Sequence, residues 1–272
     1  MLLTACATSM RLAGRWSPEW ARRTTYWAPL VRLSQGVRVT VMRQGVVVDL
    51  DLDGNLDRCL YLSGTYEDAY LRFLRSELRP GDTYIDVGGH IGLDAFVVAK
   101  AMGRGRVVCF EPSPDSAAKI RAGARRNGFD FIEVVEMGLA NESGTLVLRS
   151  DPAWHPGDSA VRSRYNEGDV VVEAPLVRFD DWIAKAGLDR MDVVKLDIEG
   201  CEHDALLGMR ESLRRMRPRC LIVEVGSIRL AQAGTTAEMI DQTLFDAGYE
   251  RTGEMMLENV VYRCRRSLLQ RV

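Results

Sequence analysis

No stretch of this 272-residue chain approaches the roughly 18 uninterrupted apolar residues needed to span a bilayer, so no membrane-spanning helix is expected. The six cysteines (Cys6, Cys59, Cys109, Cys201, Cys220 and Cys264) contain no C-x-x-C pair and no regular framework, which argues against a disulfide scaffold or a zinc site. Cys109 and Cys220 fall in apolar runs that read as buried strands, so inert core thiols in a reducing cytoplasm are expected. A charge excess is lacking as well: 36 basic against 38 acidic residues leave a formal net charge of -2. That balance gives no general reason to bind nucleic acid or acidic membranes, although a local basic patch stays open. The opening Leu2-Leu3-Thr4-Ala5-Cys6 superficially matches a lipoprotein cleavage box. It has neither a charged segment nor an apolar stretch of about 7 residues before it, and that reading is set aside. Internal repeats and low-complexity tracts are absent.

What is present is an ordered alternation of patterns. The first forty or so residues are rich in Arg and Trp (Arg11, Arg15, Trp16, Trp20, Arg22, Arg23, Trp27, Arg32). Such a segment fits a helical cap packed through its tryptophans, or a membrane-surface or substrate clamp. Val37–Val41 and Val46–Leu52 read as strands, the second alternating from Val48, with a hairpin turn expected at Asp53-Gly54-Asn55. The sequence Asp49-Leu50-Asp51-Leu52-Asp53-Gly54 resembles a calcium loop only briefly, because position twelve is Leu60 where a bidentate Glu is needed. A helix is expected from Glu67 to Leu78, with Tyr70, Phe73, Leu74 and Leu78 on one face, ended by Pro80-Gly81.

Beyond that point strands and helices alternate, the signature of an α/β fold with a mostly parallel sheet. Strands are expected at Thr83–Val87, Arg106–Phe110, Ile132–Met137, Asp192–Leu196 and Cys220–Val225. Helices are expected to begin near Gly92, Pro114, Asp180, Cys201 and Thr236, with a closing hairpin over Tyr249–Gly253 and Leu257–Cys264. This divides the chain into a cap of helices and a hairpin, 1–80, and a main domain, 81–272. Between Gly144 and Ala174 lies a polar stretch holding Trp154, His155, Pro156 and Gly157, read as a long loop over a site.

The strand Thr83–Val87 runs into Gly88-Gly89-His90-Ile91-Gly92, where glycines permit a sharp turn and close ligand approach to backbone N–H groups. A glycine-rich turn does not identify its ligand; the spacing does. The dinucleotide fingerprint G-x-G-x-x-G, aligned on Gly89 and Gly92, requires glycine at position 87, where valine stands. An acid, Asp86, closes the strand instead. S-adenosylmethionine has no pyrophosphate to cradle; its ammonium and carboxylate suit an acid beside open N–H groups. Glu111 ends the next strand about 20 residues after Gly92, where a carboxylate can accept hydrogen bonds from both ribose hydroxyls of a nucleoside. The expected cofactor-binding set is Asp86, Gly88, Gly89, His90, Gly92, Glu111, Pro112 and Gly138.

Four segments together, Gly81 to Gly92, Phe110-Glu111-Pro112, Asn127-Gly128 and Lys195-Leu196-Asp197-Ile198-Glu199-Gly200-Cys201-Glu202, resemble the FkbM family of methyltransferases over about Gly64 to Val225. The family pattern reads D-V-G-A-N-x-G, F-E-P and K-x-D-x-E-G-x-E; here Gly89-His90 stand in place of Ala-Asn. The resemblance implies a class I methyltransferase, Rossmann-like fold, S-adenosylmethionine as donor, and oxygen methylation of natural products or sugars.

The catalytic candidates are Asp197, Glu199, Lys195 and Glu224, because ligands in an open α/β sheet bind outside the carboxyl ends of the strands. Asp197 can orient a hydroxyl and take its proton late, but an acid of ordinary pKa cannot pre-form an alkoxide. Stronger activation would call for Mg²⁺ on Asp197 and Glu224, or for His155 or His203 as base. Lys195, Glu199 and Glu202 also fit a salt-bridge network fixing the strand-to-helix turn. Three other activities remain open on the sequence: a nicotinamide-dependent oxidoreductase, a non-catalytic S-adenosylmethionine-binding module, and a nucleic-acid methyltransferase using the basic segment and the tail Arg263-Cys264-Arg265-Arg266. The expected partner is a small-molecule hydroxyl acceptor with no nucleic acid, and self-association is left open.

Overall fold

Strand residues of this chain alternate between two apolar layers, which is what a parallel sheet covered on both faces requires. In the computed structural model, which describes residues 32–150, 170–256 and 258–265, seven strands form one sheet. They are β3 (Thr83–Val87), β4 (Arg106–Phe110), β5 (Ile132–Val135), β9 (Val193–Leu196), β10 (Cys220–Glu224), β11 (Tyr249–Met256) and β12 (Asn259–Cys264). Their order is β11-β12-β10-β9-β3-β4-β5. The five strands from β10 to β5 run parallel to one another, and β12 enters antiparallel between β10 and β11. From β3 the chain first proceeds to β4 on one side and later returns to β9 on the other. The crevice between β3 and β9 is therefore the topological switch point, where ligands of such sheets bind.

On one face, Tyr84, Val107, Cys109, Val193 and Ile222 join a core with Leu71, Leu74, Phe96 and Ile120. These come from helices α2 (Asp68–Glu77), α3 (Leu93–Met102) and α4 (Pro114–Asn127). On the other face, Ile85, Val108, Phe110, Val194 and Val223 pack against Phe179, Ile183, Leu206, Leu213, Ile240 and Leu244. Their helices are α5 (Phe179–Ala186), α6 (Glu202–Gly208), α7 (Arg210–Met216) and α9 (Ala237–Asp246), with the short α8 (Ser227–Gln232) preceding the last. Starts and stops follow local chemistry. Ser113 caps α4 through the Ser116 N–H with Pro114 behind it, Thr236 caps α9, and Gly103 and Gly128 close α3 and α4 in the left-handed region.

Two expectations are corrected. The N-terminal hairpin is closed at Gln44-Gly45 between β1 (Arg38–Arg43) and β2 (Val46–Asp51), not at Asp53-Gly54-Asn55. Gly54 instead opens a helix, α1 (Asn55–Ser63). Burial of Cys59, Leu60 and Leu62 outweighs the turn propensity of Asp-Gly-Asn, and the Asp57 carboxylate accepts the Asp51 N–H at 2.6 Å, pinning the helix to the end of β2. The stretch from Gly144 to Ala174, read as a loop, begins and ends in strands. β7 (Gly144–Ser150) and β8 (Val170–Val177) pair antiparallel, and β8 also carries the short β6 (Gly138–Leu139). Trp154 to Gly157 with His155, and the N-terminal segment through Trp27, lie outside the described residues.

The hairpin shares its core with the sheet, through Val46, Val48 and Leu50 packed with Phe96 and Ile120. The Asn127 side chain fastens it by accepting the Val47 N–H at 2.8 Å and donating to the Val47 carbonyl at 2.7 Å. Among the described residues, no helix is long and apolar enough to cross a membrane.

Candidate active site

The candidate site acids Asp86, Glu111, Asp197, Glu199 and Glu224 lie at or just beyond the carboxyl ends of β3, β4, β9 and β10. Strand alternation then sorts them. Asp86 and Lys195 are register partners on adjacent strands and sit on the α2/α3 face, in step with Tyr84 and Val193.

The first turn is held from two sides. Gly88 and Gly89 donate to the Phe110 carbonyl at 2.9 and 3.3 Å, and Asp197 donates its N–H to the Val87 carbonyl at 3.0 Å. Gly88 lies at φ +93°, and a Cβ there would overlap the Asp197 carbonyl, so both conformation and space require glycine. A Cβ on Gly89 would strike the Cys109 sulfur. His90, at φ 49°, turns its backbone N–H onto Glu111 Oε2 at 2.7 Å. The other carboxylate oxygen of Glu111 accepts the Ser113 N–H at 2.9 Å. Burial pushes the Glu111 carboxyl up, while these two N–H groups and the His90 ring pull it back. Each oxygen carries two lone pairs, so after one backbone bond apiece each can still accept a hydroxyl. Pro112 and Gly138 lie side by side beneath this corner, the Pro112 Cβ 3.8 Å from where a Gly138 Cβ would stand.

Asp86 differs from expectation. Its side chain is fully enclosed, with the Cys109 sulfur 3.7 Å away. Burial raises its carboxyl far above the ordinary range, against the pull of Lys195. It thus acts on the edge through the sheet interior instead of standing open beside the N–H groups of the turn.

Lys195 joins the two sides of the switch point. Its Nζ is 2.8 Å from Asp94 on α3 and 3.2 Å from Asp197, and the Tyr70 ring centroid lies 5.8 Å away. Tyr70 in turn donates its hydroxyl to Asp94 at 3.0 Å. Lys195 and Asp94 side chains are 9% and 14% exposed, whereas Asp197 is 31% exposed, making it the member of the chain of charges that faces outward. Burial alone would raise Asp197, but Lys195 and a hydrogen bond from Glu224 outweigh it and hold the carboxyl low. Burial, reinforced by the Asp197 charge, pushes Glu224 up to about 9, so near neutrality Glu224 is the protonated partner. The clustered carboxylates are thus balanced by an ammonium and a shared proton. Among the described residues, no group of three or more His, Cys, Asp or Glu side chains is arranged to hold a metal ion.

The remaining motif residues shape the turn after β9. Glu202 is buried and accepts the Ile198 and Gly200 N–H groups at 2.8 and 3.2 Å. Glu199, at φ 61°, is ion-paired with Arg229 on α8, and a Cβ on Gly200 would press on the Arg229 carbonyl. Glu199 thus ties the turn after β9 to α8, and it does so through Arg229, not through the Lys195–Glu199–Glu202 network the sequence suggested. His203 meets Thr243 through Nε2 at 3.1 Å, away from the carboxylates. Sequence reasoning missed Tyr70 and Asp94. The sequence pattern places Tyr70 on the apolar face of its helix, and Asp94 is a first-turn acid of α3; only the fold brings them to Lys195.

The sequence has counterparts among known proteins. A family model described as Methyltransferase FkbM domain matches residues 86–251. The chain is 26% identical over 156 residues to the 2-O-methyltransferase NoeI of Sinorhizobium fredii, covering 51% of this chain and 62% of that protein. It is 27% identical over 159 residues to the hexuronic acid methyltransferase AglP of Haloferax volcanii, covering 58% and 62%. With the 31-O-demethyl-FK506 methyltransferase FkbM of Streptomyces tacrolimicus it shares 27% identity over 210 residues, 67% of this chain and 76% of that one. The chain thus spans about three-fifths of the length of the first two relatives.

Proposed function

The chain belongs to the FkbM methyltransferase family, and we propose that it moves the methyl group of S-adenosylmethionine onto a hydroxyl of a sugar or other small natural product. Bound at the switch point, that donor supplies an electrophilic methyl on a sulfonium. The observation that carries the proposal is Glu111, with both oxygens already anchored by backbone N–H groups and both still able to accept. Two vicinal ribose hydroxyls match that arrangement, as they do in nucleoside sites generally. The glycines of the Gly88–Gly92 turn give their side-chain space to the Asp197 carbonyl, the Cys109 sulfur and the Phe96 ring, so they fix the turn that sets Glu111 at the edge. Val87 in place of a first fingerprint glycine speaks against the nicotinamide alternative.

Asp197, outward-facing and kept ionised by Lys195, orients the acceptor hydroxyl by accepting its hydrogen bond. Holding acceptor oxygen, methyl carbon and leaving sulfur in line supplies about 7–11 kcal/mol of the barrier reduction. Exclusion of water helps further, since charge on sulfur disappears in the transition state. A sugar-type acceptor is supported by the relatives whose names specify a 2-O position and a hexuronic acid. Free thiols at Cys59, Cys109, Cys201, Cys220 and Cys264 suit a reducing cytoplasm.

The test is transfer of labelled methyl from S-adenosylmethionine to hexuronic acid glycosides and other sugar alcohols, read by mass spectrometry. One added methyl on a hydroxyl supports the reading. Saturable donor binding with no transfer to any acceptor in a metabolite extract would favour the non-catalytic module.

A further inference from the structure

Lys195 stands on β9, where every other side chain is apolar and buried. Of the chain's four lysines, Lys100, Lys119, Lys185 and Lys195, it is the buried one. A lysine carries its charge on a flexible four-carbon stem, so an ammonium in this interior needs partners that fix where it stands. Two helices supply them. Asp94, in the first turn of α3, receives two donors on one oxygen, Oδ2: the Lys195 ammonium at 2.8 Å and the Tyr70 hydroxyl of α2 at 3.0 Å. The Tyr70 ring centroid also lies 5.8 Å from the ammonium, within cation–π range. The contacts form a line from the interior to the edge. Tyr70 holds Asp94, Asp94 holds Lys195, and the longer contact of the ammonium, 3.2 Å, goes to the outward-facing Asp197. Asp86, the register partner of Lys195 on β3, is a further carboxylate on that face and is enclosed. Without Asp94 the ammonium is free to turn inward toward Asp86 or to close onto Asp197.

We propose that Tyr70 and Asp94 are positioning residues for methyl transfer: they fix the Lys195 ammonium so that it presents Asp197 to the acceptor hydroxyl in one place, an inference that rests on the methyltransferase reading above. Asp94 takes the shorter contact with the ammonium, which leaves Asp197 the less tightly held of the two carboxylates. A carboxylate has about four lone-pair sites, so Asp197 can accept from a substrate hydroxyl beside Lys195 and Glu224. Burial works against the charge on Lys195, and Asp94, ahead of Asp197 and Asp86, keeps it protonated. Tyr70 and Asp94 act through Lys195 and need no contact with the acceptor. A misplacement of about 1 Å caused by a change remote from the reacting atoms costs about 10²-fold in rate, so an anchor behind the ammonium is enough to set turnover.

The test compares wild type with Tyr70→Phe, which removes only the hydroxyl, with Asp94→Asn, and with the double variant. Calorimetry gives the affinity for S-adenosylmethionine, and methyl transfer to a methyl hexuronoside gives kcat and KM. Asp94→Asn should lose about 10–100-fold in kcat and Tyr70→Phe about 3–10-fold, with KM and donor affinity little changed. Because Tyr70 acts through Asp94, the double variant should be no slower than Asp94→Asn. Wild-type kcat in both single variants, a loss confined to donor affinity, or losses that multiply in the double variant overturns the assignment. The ammonium itself is read by nitrogen NMR of lysine-labelled protein, its signal being the one absent from Lys195→Met. That signal should be sharp in the wild type, and both single variants should shift and broaden it; a signal unmoved by either overturns the proposal. Should Asp94→Asn fail to fold, Tyr70→Phe decides by the same two readings. Should wild type methylate no acceptor, the methyltransferase reading fails by itself, and the ammonium signal still decides whether Tyr70 and Asp94 anchor Lys195.

Discussion

Replacing Lys195 by methionine keeps most of the aliphatic stem and removes the charge, so it isolates what the ammonium does at the switch point. In the wild type that ammonium lies 2.8 Å from Asp94 and 3.2 Å from Asp197. Deleting one partner of a buried ion pair costs about 3–5 kcal/mol, because the other charge is left buried and unpaired. The two acids left behind differ in exposure: Asp94 is well shielded, but Asp197 is nearly a third exposed, and water screens that arm. The low end, about 3 kcal/mol, is therefore expected. For a chain of this size that corresponds to a fall in Tm of about 6–12 °C. The loss should depend on pH. Without Lys195 the Asp197 carboxyl loses the largest pull against burial, so it titrates higher in the folded variant than in the folded wild type. The native variant then takes up a proton as pH falls, and part of the deficit disappears. Urea unfolding of both proteins at about pH 8 and pH 5, followed by circular dichroism, measures this directly. A deficit below about 1 kcal/mol at the higher pH, or an equal deficit at both, would refute the role given to Lys195.

Asp197→Asn should retain donor affinity while turnover falls by about 10²-fold or more, since a carboxamide no longer accepts strongly from the hydroxyl; near-normal kcat would remove Asp197 from the mechanism. Glu224 predicts a pH effect on stability. Its carboxyl, ordinarily at 4.5, is raised to about 9 in the folded chain, so the native state binds this proton more tightly and its contribution declines as pH rises between those values. Glu224→Gln should abolish that decline, and parallel stability profiles for variant and wild type would contradict it.

The fold was largely legible because its signals are local and repeated. The parallel strands from β10 to β5 are apolar runs that end in a charge or a turn, and Asp86, Glu111 and Asp197 could be set on one edge from topology alone. The helix over Asn55–Ser63 was hidden because Asp53-Gly54-Asn55 carries strong turn chemistry, while the burial that makes it helical comes from the core it covers. β7 and β8 were hidden by the polar residues between them, although Thr145-Leu146-Val147-Leu148 is a strand pattern. Within the site, sequence spacing identified Lys195 and Asp197 but not what lies opposite. Asp94 and Tyr70 reach Lys195 only through tertiary contacts between segments far apart in the chain, and no local pattern reports such a pairing. Asp86 shows the converse limit: the motif located it correctly at the end of β3, but strand alternation turns it inward.

The central claim is that Glu111 and the Gly88–Gly92 turn form a site for S-adenosylmethionine, and the most direct measurement is calorimetric titration of wild type and Glu111→Ala with that donor and with NADH. Two hydroxyl contacts to one charged acceptor are worth about 1.5–3 kcal/mol each. On the scale of about 1.4 kcal/mol per tenfold, the variant should bind S-adenosylmethionine about 100-fold more weakly or worse, with its circular dichroism unchanged. NADH should not bind either protein. Equal donor affinity in the two proteins, or saturable binding of NADH in place of S-adenosylmethionine, would contradict the account.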